Sequence, residues 1–111
     1  MTLSGVDGAA AIKKIMDKFR DHAPSQFNQT DIVLTEDFLA QTASTKDAQT
    51  ALTTPPSNVL KYTLADDSWF AVRPSGTEPK IKFYIATVGD TLDIAQEKIA
   101  NIETEINAFV G

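Results

Sequence analysis

Two apolar runs, Trp69-Phe70-Ala71-Val72 and Ile81-Lys82-Phe83-Tyr84-Ile85, are joined by the octapeptide Arg73-Pro74-Ser75-Gly76-Thr77-Glu78-Pro79-Lys80. No other feature limits the fold so tightly. A short connector that stiff between two strand-like segments makes them adjacent and antiparallel. Pro74 and Pro79 fix φ and remove two backbone donors. Gly76 permits a backbone conformation that a side chain would hinder. Alternation is clear in the segment from Lys80 to Val88, with Ile81, Phe83 and Ile85 on one face and Lys80, Lys82 and Tyr84 on the other. In Ser68 to Arg73, Phe70 and Val72 oppose Trp69, Ala71 and Arg73.

The connector also carries chemistry suited to a phosphate group. Arg73 offers a planar two-pronged donor, and Ser75 and Thr77 offer hydroxyls. Gly76 lets an anion approach the backbone, and Lys80 adds a second cation. The same residue types also make ordinary turns, so a plain hairpin remains the alternative. The surrounding charge favours the anion. The net charge of the chain is −5, yet Arg73, Lys80 and Lys82 lie together. A local cationic patch on an acidic chain suits a small anion better than a polyanion.

At 111 residues the chain is read as a single domain, 1–111. Such a domain buries roughly two thirds of its unfolded surface, enough for a modest core. Without cysteine it has no disulfide, thiol nucleophile or zinc–thiolate site, which fits a reducing cytoplasm. No apolar run has the length of a membrane span. The acidic balance speaks against nucleic acid as a partner.

Ile12, Ile15, Met16 and Phe19 form one stripe of a helix over 8–21, with Asp7 as its N-cap and Pro24 beyond its end. The basic residues Lys13, Lys14, Lys18 and Arg20 lie off that stripe and suit a solvated face. A strand is expected from Phe27 through Leu34, ending near Glu36, with Phe38 and Leu39 anchoring its exit. The segment 41–57 is rich in Thr, Ser and Ala and ends in Pro55-Pro56. It reads as a long surface loop with a short helical turn near 47–52, or as a lid. Val59 to Leu64 is a further strand, and Asp66-Asp67 a turn. Leu92, Ala95, Ile99, Ile102, Ile106 and Phe109 form the stripe of a last helix over 91–109, capped by Asp90. The economical assembly is α+β: two layers, about four antiparallel strands with two helices on one face.

Four other residues invite functional readings. His22, the single histidine, sits at a helix end beside Asp21, a place where the helix dipole suits such a side chain. Trp69 suits sheet packing or stacking on a sugar ring. Tyr84 shares a face with Lys80 and Lys82, which brings its hydroxyl to the border of the loop. Glu78 would repel an anion directly, so bracing Arg73 or Lys80, or accepting backbone donors, suits it better.

The string Arg73 to Lys80, with Trp69-Phe70-Ala71-Val72 before it and Ile81-Lys82-Phe83-Tyr84 after it, resembles the C-terminal domain of the α-D-phosphohexomutases, nearest the bacterial phosphoglucomutase/phosphomannomutase type. Asn58-Val59-Leu60-Lys61-Tyr62 and 3–8 resemble the preceding strand and the link into that domain. The resemblance implies a TATA-binding-protein-like two-layer fold, with 1–7 as the remnant of an interdomain linker. It implies a C-terminal piece of an enzyme that interconverts hexose 1-phosphate and hexose 6-phosphate. The phosphate would be held by residues matching Arg73, Ser75, Gly76 and Thr77, with Lys80 beside them. The phosphoserine nucleophile, the Mg²⁺ loop and the sugar-reading residues would lie on three preceding domains, and a hexose 1,6-bisphosphate would act as activator. No catalytic or metal-binding residue is therefore expected in this chain, and alone it should be inactive. A free-standing small-anion or interaction module is the alternative.

Overall fold

The computed structural model describes residues 2–3, 8–76 and 80–110. The chain runs β1 (Thr2–Leu3), α1 (Gly8–His22), β2 (Gln26–Phe27), β3 (Thr30–Asp37), β4 (Thr42–Ser44), β5 (Gln49–Ala51), β6 (Leu60–Leu64), β7 (Trp69–Pro74), β8 (Ile81–Ala86) and α2 (Leu92–Val110). The strands follow the order β1-β8-β7-β6-β3-β4-β5, with β2 paired to β3 outside that path. Every pairing is antiparallel. The α+β class and the two helices agree with the sequence reading, but the sheet is wider than the four strands expected.

The extra strands come from two places. The expected single strand from Phe27 is cut by Asn28 and Gln29, whose φ angles are 51° and 57°. Two consecutive left-handed residues reverse the chain, so Phe27 pairs with Thr30. The segment 41–57 contains no helical turn. It folds into the β4–β5 hairpin, with Ala43 opposite Thr50. Its Thr-rich composition, read as loop, suits a half-exposed strand equally well. This hairpin extends the sheet past β3, where Asp37 pairs with Thr42.

The core lies between the helices and one face of β6, β7 and β8. Register places Leu60 opposite Val72 and Tyr62 opposite Phe70. Val72 in turn faces Phe83 across the next pair. All of these are buried and pack with Met16 and Phe19 of α1 and Ile102 and Ile106 of α2. The aromatic rings interlock: Tyr62 stacks on Phe70 at 4.9 Å, and Phe19 lies 5.9 Å from Phe83. The Tyr62 hydroxyl donates to the Phe19 carbonyl at 2.6 Å, so no buried oxygen is left unpaired there. Burial pushes the Tyr62 phenol far above its ordinary pKa.

Ion pairs fasten the helices at their margins. Arg20 Nε donates to Asp37 at 2.9 Å, while its Nη2 reaches Asn58. Asp37 also accepts the Leu39 and Ala40 amides, which shapes the turn after β3. Arg20 is thus a strut between α1 and β3, and only part of the basic face of α1 is solvated. Leu39 is exposed and does not anchor the exit. At α2 the cap is Thr91, whose hydroxyl accepts the Ile94 amide, rather than Asp90. Leu92, read as the first residue of the apolar stripe, is 73% exposed. Asp7, expected to cap α1, lies outside the described residues.

Candidate functional site

The octapeptide joins β7 to β8, the hairpin that the flanking apolar runs require. The last strand pairs before the loop are Arg73 with Lys82 and Pro74 with Ile81. The Ser75 amide then donates to the Lys80 carbonyl at 2.9 Å and closes the base of the loop. Ile81 is fully buried at one foot, and Val72 is fully buried next to the other. The two feet of the loop are therefore held by the core. β1 lies along β8, with Thr2 opposite Lys82, so a short strand covers the edge on that side.

Arg73 follows Val72 in β7 and so stands on the opposite face, where it is exposed. Lys82 is directly across from it on the same face. Two cations at one cross-strand position repel each other, which an anion between them would relieve. The Arg73 guanidinium carbon lies 5.8 Å from the centre of the Tyr84 ring. Ser75 and Lys80 are half-buried. Gly76 is exposed, and a Cβ placed on it would meet nothing within 4 Å. Among the described residues, steric crowding is therefore not what selects glycine there. Thr77 and Glu78, both given roles by the sequence reading, lie outside the described residues.

The face turned away from the helices has a second cation–aromatic pair. Lys61 Nζ lies 4.5 Å over the Trp69 ring. Neither pair follows from period-two alternation alone. Each joins residues on neighbouring strands, diagonal to one another across the sheet, and needs the register to be found.

Asp66-Asp67 is a turn, with Asp67 at a φ of 70°. Asp66 is occupied structurally: Lys98 of α2 donates to it at 2.8 Å, and the Ser68 amide at 3.0 Å. His22 is exposed at the end of α1. Among the described residues no three His, Asp or Glu side chains are grouped to hold a metal ion. Among them, too, no helix is long and apolar enough to cross a membrane.

Residues 6–104 match the model of the phosphoglucomutase/phosphomannomutase C-terminal domain. The chain belongs to that family. It is 37% identical over 100 residues to a phosphoglucomutase of Staphylococcus aureus, and 36% identical over the same length to one of Staphylococcus epidermidis. Each alignment covers 88% of this chain and 18% of the relative. The chain thus spans under a fifth of the length of these relatives. No solved structure gives a significant match.

Proposed function

We propose that this chain is the substrate-phosphate-binding domain of a phosphoglucomutase/phosphomannomutase that interconverts hexose 1-phosphate and hexose 6-phosphate. The observation that carries the reading is the hairpin base. The Ser75–Lys80 backbone bond closes a loop at the end of β7, where Arg73 is exposed directly opposite a second cation, Lys82. Arg73, Ser75, Gly76, Thr77 and Lys80 are assigned to the phosphate. Arg73 supplies the charged fork, Ser75 and Thr77 hydroxyl donors, Gly76 open access to the backbone, and Lys80 a further charge.

Such a loop grips the phosphate that is not reacting. Holding a remote group converts binding energy into orientation of the reacting hydroxyl. The transfer itself is assigned to three preceding domains, which would carry the phosphorylated serine, Mg²⁺ and the sugar-reading residues. The described donors here do not fit that metal. A hexose 1,6-bisphosphate would serve as activator and the cytoplasm as the compartment. On this reading 1–7 come from an interdomain linker, and the chain alone does not turn over substrate. The central strands β3, β6, β7 and β8 under two helices support a TATA-binding-protein-like layout, to which β4–β5 is an edge addition.

Amide shifts during titration with inorganic phosphate and with glucose 1-phosphate test the assignment. Shifts should concentrate at Arg73, Ser75, Gly76 and Lys80. A single cationic loop without its partner domains should bind in the millimolar range, about −4 kcal/mol. Shifts confined to other parts of the chain would overturn it.

A further inference from the structure

The open sheet face places an aromatic ring beneath the one guanidinium of the loop's foot. Arg73 is in β7 and Tyr84 in β8, two residues apart diagonally, since Arg73 pairs with Lys82 and Ala71 with Tyr84. The guanidinium carbon is 5.8 Å from the ring centre, within reach of a cation–π attraction. Tyr84 is 45% exposed, and its strand neighbours Phe83 and Ile85 turn toward the core. The ring is thus anchored by a strand whose other face is buried, yet remains open to solvent. An arginine side chain left free would sample many rotamers, and each one lost on binding lowers affinity. Lying on the ring removes part of that freedom beforehand.

We infer that the Tyr84 ring is a positioning residue for the loop: it holds the Arg73 guanidinium in place for an oxyanion, and it does so through its face rather than its hydroxyl. The inference rests on the assignment of Arg73 to the phosphate site. The anion recognised is a phosphate monoester, and the ring makes no contact with it. Lys82, directly across from Arg73, contributes charge to the same face but cannot replace the ring, because an ammonium repels the guanidinium instead of seating it.

Phosphate titrations of the chain and of three variants test this, following the Arg73 Nε–Hε resonance together with the amides of 73–76. In the unaltered chain Hε should be displaced upfield by the ring and should shift as phosphate binds. Tyr84→Phe keeps the ring and should match the unaltered chain in both respects. Tyr84→Leu should lose the upfield displacement and bind phosphate about two- to fivefold more weakly, the range expected of an exposed cation–π contact. Tyr84→Thr, a β-branched residue suited to a strand, provides a second ringless variant should the leucine disturb the fold, and the same loss is expected of it. Equal affinity in ringless and unaltered chains would overturn the inference while leaving the phosphate site standing. A Tyr84→Phe variant as weak as Tyr84→Leu would assign the effect to the hydroxyl and overturn it as well. If the unaltered chain shows no response at 73–76, the phosphate assignment fails, and this inference with it.

Discussion

Val72 and Arg73 are consecutive in β7 and face opposite ways: Val72 is fully buried under the helices, and Arg73 is exposed on the open side of the sheet. One peptide unit thus separates the core from the candidate site. Arg73→Ala should therefore leave the unfolding free energy within about 0.5 kcal/mol of the original, as expected for a surface change. Phosphate binding should fall sharply. Arg73→Lys should restore only part of it, since lysine keeps the charge and loses the planar fork. Urea unfolding beside a phosphate titration checks both. Full recovery with lysine would show that charge alone suffices.

Phe83 makes the opposite test. It is 2% exposed and lies against Phe19 on the helix side of β8. Phe83→Ala should cost roughly 3–5 kcal/mol of stability through the cavity it leaves. If enough of the variant remains folded, its phosphate affinity should change much less than in Arg73→Ala.

Gln29 sits at a φ of 57° in the turn between β2 and β3, a conformation that glycine adopts without strain. The preceding Asn28 already suits such a turn, and Asn-Gly is the favoured pair. Gln29→Gly should raise the unfolding free energy by up to about 1 kcal/mol, net of the greater freedom of glycine in the unfolded chain. An unchanged or lowered denaturation midpoint would argue against strain at this turn.

This turn also illustrates what the sequence reveals and what it hides. The strands β6, β7 and β8 and both helices are legible because buried apolar residues recur at the period of each element. The β2–β3 reversal is hidden because Asn28-Gln29 lacks the glycine that marks such hairpins. The β4–β5 hairpin is hidden because its residues are half or fully exposed, so no apolar alternation marks them. Within the site, the cationic loop and its flanks were visible as types and order. The seat of Arg73 over Tyr84 was not, because it depends on a diagonal between strands. The tie that Arg20 makes is hidden for the same reason: Asp37 and Asn58 are distant in sequence and come to it only in the fold.

Gly89 lies just before α2, where a Cβ would stand 2.8 Å from the Ala95 backbone nitrogen and 3.0 Å from Ile94 Cγ2. The backbone atom belongs to the first turn of a helix and cannot retreat cheaply. Gly89→Ala should destabilise the chain by about 1–3 kcal/mol, as overpacking does. Thermal unfolding checks it, and a neutral outcome would mean that the start of α2 yields.

Asp66 and Lys98 supply the pH-dependent link between the β6–β7 turn and α2. Burial pushes the Asp66 carboxyl up, but the Lys98 ammonium and the Ser68 donors outweigh it and hold it below its ordinary value. A carboxyl held low in the folded chain adds stability above its unfolded pKa, and this is lost as pH falls through the folded one. Lys98→Met removes the partner at 2.8 Å and also the bond to the Val88 carbonyl. The Asp66 titration should then move upward. The variant should lose about 1 kcal/mol near neutral pH, the scale of a partly exposed pair. Any part of that loss due to Asp66 ionisation should vanish once the carboxyl is protonated in both proteins. Denaturation of the two proteins across the acid range gives the comparison. A stability gap that stays constant from neutral to strongly acid pH would trace the loss to the Val88 contact and side-chain packing instead.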